Sequence, residues 1–171
     1  MNDYLIRVSG LKEGSHTNSF KIKDDFFREY SSCNIESANI NVDTVVKVTG
    51  GKTSLLIELK GLINNMLCDI CAEELSIEIQ HNEIYRLKKT NDEMINDSED
   101  VIYLKNNENK ICIKHLIFEM VILSIPKKIR HENKDSYSSC SVKMLELLEK
   151  YQTFEKQPDD RWEKLKEIKT I

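Results

Sequence analysis

From Ala38 to Val48, Ala38, Ile40, Val42, Thr44, Val46 and Val48 occupy every second position, opposite Asn39, Asn41, Asp43, Val45 and Lys47. A period of two places one set on each face of a strand, whereas a helix would scatter both sets around its axis. Gly50-Gly51 comes next, and glycine readily adopts the positive φ angles of a tight two-residue hairpin. Leu55, Ile57 and Leu59 then alternate with Leu56, Glu58 and Lys60. The stretch predicts an antiparallel pair with one face buried.

Weaker alternation extends this pattern. Tyr4, Ile6 and Val8 suggest a strand, Phe20 and Ile22 a short return strand, and residues 24–30 a brief helix. Leu75, Ile77 and Ile79 predict a further strand that continues toward Leu87, and residues 100–104 another. Helical spacing takes over in residues 111–124, through Ile113, Leu116, Ile117, Met120 and Val121, until Pro126 ends the segment. Residues 141–154 predict a second helix, with Ser141 as its cap and Met144, Leu145, Leu148 and Tyr151 turned inward. Asp160 and Glu163 have the spacing of a helix start, so residues 158–171 read as a terminal helix or tail. Strands in the first two-thirds and helices after them make the class α+β. The expected architecture is an antiparallel sheet, strongly curved or barrel-like, packed by the C-terminal helices. With no repeat or Pro/Gly-rich linker, residues 1–171 read as one domain.

The chain has no apolar run near the roughly 20 residues of a membrane-crossing helix, and its first residues show no basic-then-apolar leader pattern. A cytoplasmic location is expected, where the five cysteines would stay reduced rather than form disulfides. A net charge of −4 does not mark a typical nucleic-acid binder. Charge is nevertheless segregated. Residues 90–100 hold Asp92, Glu93, Asp97, Glu99 and Asp100 without a Lys or Arg, and read as a mobile acidic loop. Residues 126–131, PKKIRH, gather Lys127, Lys128 and Arg130 at the start of a polar loop, 126–140.

Within MLCDICAEEL, Cys68 and Cys71 have the spacing with which two thiolates can hold one ion. A structural zinc needs four donors, and His131 and Cys140 in the polar loop are the best candidates for the other two. Cys112 reads as a small buried residue of an apolar helix, and Cys33 has no neighbouring ligand. Three readings stay open: a bound zinc, thiols without metal, and a redox couple. The redox reading lacks the helix N-terminus that would lower a thiol pKa, because strand-like alternation follows the pair.

No hydrolytic constellation is present. Gly50-Gly51-Lys52-Thr53 lacks the first glycine of a phosphate loop. His115 and Glu119 are spaced as a surface pair, while His16 and His81 stand in polar surroundings without partners. Trp162, preceded by Arg161, could stack on a base or anchor the terminal segment.

The chain resembles the YceD-like family of bacterial proteins. Three landmarks carry the likeness: LCDICAEELSIEI after a strand ending ELKG; MVILSIP followed by a basic stretch; and the terminal block PDDRWEKLKEI, similar to the ending of Bacteroidetes-type members. Two positions depart from the pattern. Ile70 stands where many members have Arg, and many members have a second paired-cysteine stretch whereas this chain offers only His131 and Cys140. The resemblance implies a non-enzymatic cytoplasmic factor in 23S ribosomal RNA accumulation, or large-subunit production. Its partner would be ribosomal RNA, a large-subunit ribosomal protein or an assembly factor. Direct RNA contact would fall to Lys127, Lys128, Arg130 and Arg161. The alternatives are a zinc-stabilised protein–protein module without RNA contact, and a thiol redox protein.

Overall fold

The computed structural model describes residues 4–30, 33, 35–90, 100–131 and 140–152. In chain order the elements are β1 (Leu5–Arg7), β2 (Gly14–Ile22), α1 (Asp24–Phe27), β3 (Ser37–Thr49), β4 (Lys52–Leu67) and β5 (Glu74–Thr90). They are followed by β6 (Val101–Lys105), β7 (Lys110–Cys112), α2 (Lys114–Ser124) and α3 (Val142–Gln152). The class is α+β, as expected.

The main sheet has the order β2-β3-β4-β5-β6, and β1 pairs with β7 in a separate two-stranded sheet. The predicted hairpin is present: Thr49 pairs with Lys52 across Gly50 and Gly51, whose φ angles are 56° and 74°. Alternation is realised as burial. Ile40, Val42, Val46, Leu55, Ile57, Leu59, Ile63 and Ile79 form one buried face, against Phe26, Phe27, Ile117, Met120 and Val121. Burying each such side chain contributes about 1.5–3 kcal/mol. Thr44 is the buried polar residue on this face, and its hydroxyl donates to the Asn18 carbonyl at 3.2 Å.

Four expectations need correction. The sheet is open rather than barrel-like, since β2 and β6 end the order without pairing each other. It is also mixed, because β6 runs parallel to β5. The return strand is longer than expected and pairs with β3, while β1 finds its partner in β7. Pairing with β1 claims Lys110, Ile111 and Cys112, so the helix starts only at Lys114 and Cys112 is an exposed strand residue.

α3 forms where expected, and the Ser141 carbonyl accepts from Met144 N–H and Leu145 N–H at its start. Its inward face is not realised among the described residues. Met144, Leu148 and Tyr151 are exposed, as are Val142 and Leu147, and only Leu145 packs inward. Helical spacing marks a helix with an apolar stripe but does not supply the surface that covers it. No helix among the described residues is long and apolar enough to cross a membrane.

Candidate metal centre

β4 and β5 form a long antiparallel hairpin whose connection carries the Cys-x-x-Cys pair. Just before the turn, the register shifts between Ile63 and Met66, where Asn65 has φ 58°. Such an extra residue bends and twists the strand that carries it, and Asn tolerates this conformation better than most side chains. Asn64 Nδ2 donates to Ser37 Oγ at 3.3 Å, and Ser76 Oγ donates to Asn64 Oδ1 at 2.8 Å, so the bulge is tied to both flanking strands. The turn is closed by Ala72 N–H to the Cys68 carbonyl at 2.9 Å and Cys68 N–H to the Glu73 carbonyl at 3.0 Å. Ala72 adopts φ 58° to do so, a conformation uncommon for a residue with a Cβ.

Four donors converge here. Sγ of Cys68, Cys71 and Cys140 and a ring nitrogen of His131 all lie within 4.8 Å of one another. Cys68 Sγ is 3.8 Å from Cys140 Sγ, and His131 Nδ1 is 3.6 Å from Cys71 Sγ and 3.5 Å from Cys140 Sγ. A tetrahedral zinc with bonds of about 2.3 Å to sulfur and about 2.0 Å to nitrogen separates its ligand atoms by about 3.5–3.8 Å. These three edges match that geometry. Cys68, Cys71 and Cys140 are buried, and Ile70, Leu75 and Leu145 pack around them. Donor type, spacing and shielding all fit a structural zinc.

The environment separates the thiols electrostatically. Burial pushes the Cys68 thiol up, but the backbone N–H groups of Cys71, Ile70 and His131 outweigh it and bring the pKa down to about 6. Ile70 N–H lies 3.4 Å from the Cys68 sulfur. Cys140 moves the other way, to about 11, through burial and the adjoining Cys68 and Cys71 sulfurs.

The sequence nominated all four of these residues, and the structure brings them together. It did not nominate Asp69, whose main chain and carboxylate both bind Ile129 and draw the His131 arm onto the turn. The only available signal was a carboxylate held between the two cysteines. Lys127, Lys128 and Arg130 are exposed on that arm, while Ile129 packs against the core. Arg161 and Trp162 lie outside the described residues, as do positions 91–99 of the acidic segment, 132–139 of the polar loop and all of 158–171.

The remaining histidines settle simply. His115 and Glu119 form an exposed pair at 3.2 Å, as their spacing suggested. His16 and His81 do have partners: His16 Nε2 lies 2.9 Å from the Lys12 carbonyl, and His81 Nε2 lies 3.1 Å from Glu83. Both contacts are local, between residues four and two positions apart. No residue pattern marked them in advance.

Residues 62–169 match the family described as large ribosomal RNA subunit accumulation protein YceD. The chain belongs to the YceD family. The matched stretch begins within β4 and takes in all four donors and the basic arm, leaving β1 to β3 outside it. The YceD match concerns the family as a whole and not the Bacteroidetes-type branch. No curated protein and no solved structure matches the chain.

Proposed function

We propose that this YceD-family chain is a non-enzymatic cytoplasmic factor in 23S ribosomal RNA accumulation and large-subunit assembly. In this reading Cys68, Cys71, His131 and Cys140 hold a structural zinc, which fixes a basic arm for contact with RNA. The carrying observation is the convergence of four donors from three chain segments directly beside Lys127, Lys128 and Arg130. Four protein donors leave no open position for a reacting water, which suits a structural rather than a catalytic ion. The family match supports the biological setting. Arg161 joins the RNA-contacting set on the sequence alone, and the PDDRWEKLKEI ending supports the Bacteroidetes-type branch.

The test combines metal analysis with binding. Protein purified without a His-tag should carry one zinc per chain, and Cys68→Ser should abolish it while Cys33→Ser and Cys112→Ser do not. Binding to 23S ribosomal RNA fragments or precursor large-subunit particles should fall steeply as salt rises. Zinc lost in Cys33→Ser or Cys112→Ser would overturn the ligand set, and absence of salt-sensitive binding would overturn the RNA reading.

A second reading, a zinc-stabilised protein-binding module, is favoured by the exposed Val142, Leu147 and Tyr151 on α3. The net negative charge also suits a basic ribosomal protein as partner. Partners retained after RNase treatment would support it over RNA contact.

A further inference from the structure

At the opposite end of the β4–β5 hairpin from the cysteine turn lies a groove of about 1010 Å³. It is formed by the β3–β4 hairpin, the end of β5 and residues 8–11. Lys47, Lys52, Arg86, Lys88 and Lys89 line it, and among the described residues no Asp or Glu does. Five cations gathered in one groove are unexpected in a chain whose net charge is −4.

The register explains their convergence. Lys47 pairs with Ser54, and Ser54 pairs with Arg86, so two cations flank a small hydroxyl on the solvent face of neighbouring strands. With strands about 4.8 Å apart, their backbones stand about 10 Å from each other. Lys52 and Lys88 share that face two residues along. Lys89, on the other face, donates to Ser9 Oγ at 2.9 Å and ties β5 to the segment after β1. Among the described residues none of the five makes an ion pair with a carboxylate. Gathering like charges on adjacent strands costs stability, and a polyanion in the groove would relieve that cost.

We propose that this groove binds the sugar–phosphate backbone of RNA without regard to base sequence. Among the described residues the lining holds no aromatic ring on which a base could stack. It does offer the hydroxyls of Ser9, Thr49, Thr53 and Ser54, which with Lys and Arg are the usual donors to phosphate oxygens. An extended acidic peptide is the poorer occupant. β3, β4 and β5 each have ladder partners on both sides, so no free strand edge is available for a peptide to extend.

The inference deepens the RNA reading and relies on it for the identity of the polyanion, but it uses a surface remote from the metal centre. β4 alone has 16 residues, a span of about 50 Å at strand rise.

Fluorescence anisotropy with labelled oligouridine and oligoadenosine tests it on the full chain, at salt from about 0.05 to 0.3 M. Lys47→Gln/Arg86→Gln should weaken both RNAs about equally, at least about tenfold at low salt. It should also reduce the slope of log affinity against log salt by about 0.7 for each cation removed, with zinc content unchanged. Lys47→Glu/Arg86→Glu should weaken binding further, and the neutral pair keeps the test decisive should reversal impair folding. A parental slope and affinity in the neutral variant, with loss only in Lys127→Gln/Lys128→Gln/Arg130→Gln, would overturn the groove alone. A parent that binds no RNA would overturn both. Competition by polyglutamate as effective as that by RNA would transfer the groove to an acidic protein partner.

Discussion

Asp69 and Ile129 exchange two hydrogen bonds: Asp69 N–H donates to the Ile129 carbonyl at 2.8 Å, and Asp69 Oδ2 accepts from Ile129 N–H at 2.7 Å. His131 follows two residues later and reaches Cys71 and Cys140. Asp69→Ala should therefore lower metal affinity while leaving all four ligands in place, by about 10–100-fold, as for other groups that orient a ligand. Asp69→Asn, which keeps an oxygen acceptor, should lose much less. Competition with a chromophoric chelator measures both, and parental affinity in Asp69→Ala would show that the clamp does not position His131.

Leu145 is the α3 residue that packs on the three buried thiols. Leu145→Ala should admit water beside them, costing at most about 2 kcal/mol because the site is only half-buried, and should speed zinc release. Leu147→Ala, at an exposed position, should stay within about 0.5 kcal/mol of the parent. Urea unfolding and stopped-flow transfer of zinc to a dye read the two effects. Equal zinc-release rates in the two variants would separate α3 from the centre.

Gly61 pairs with Ile40 across the β3–β4 ladder. A Cβ there would lie 2.3 Å from the Asn39 carbonyl oxygen and 2.5 Å from the Ile40 Cα. Both obstacles are backbone, so the strands themselves must part. Gly61→Ala should cost about 1–3 kcal/mol, the usual range for overpacking, seen as a lower urea midpoint. An unchanged midpoint would mean that the two strands separate freely at this point.

Tyr85 O–H donates to the Glu83 carboxylate, and His81 lies on its other oxygen. The hydrogen bond from Tyr85, and then that from His81, hold Glu83 below its ordinary value of 4.5 despite partial burial. A depressed carboxylate contributes stability above its unfolded pKa and loses it as pH falls toward the folded value. Tyr85→Phe should thus cost about 1 kcal/mol at pH 7, a difference that shrinks below about pH 4.5. Parallel urea titrations at neutral and acid pH compare variant with parent, and a pH-independent difference would assign the cost to packing instead.

The β3–β4 hairpin was legible because two independent signals agreed. Strict alternation set the faces, and Gly50-Gly51 set the turn. The parallel pairing of β6 was not legible, since alternation in VIYLK is the same whichever way the neighbour runs. Ile111 and Cys112 misled for a related reason: their apolar spacing continues that of α2, and only a partner more than a hundred positions earlier claims them for a strand. In α3 periodicity marks an apolar stripe but not what covers it, and Met144, Leu148 and Tyr151 stay exposed. Cys68, Cys71, His131 and Cys140 could be nominated because few residue types bind zinc and two of them lay in one polar loop. Asp69 could not, since its role depends on where Ile129 falls in space. The cations of the groove carry no sequence signal, because they are dispersed from Lys47 to Lys89 and meet only through strand register.

Cys68 and Cys140 stand 72 positions apart, and Cys71 and His131 stand 60 apart. Contacts at that separation close long loops, whose entropy opposes them until the intervening strands have already paired. An ion held at this centre would therefore bind late in folding, after the strands that carry its ligands have paired. Interactions absent from the folding transition state act on the reverse rate. Stripping the metal should thus leave the refolding rate nearly unchanged and shorten the lifetime of the native chain.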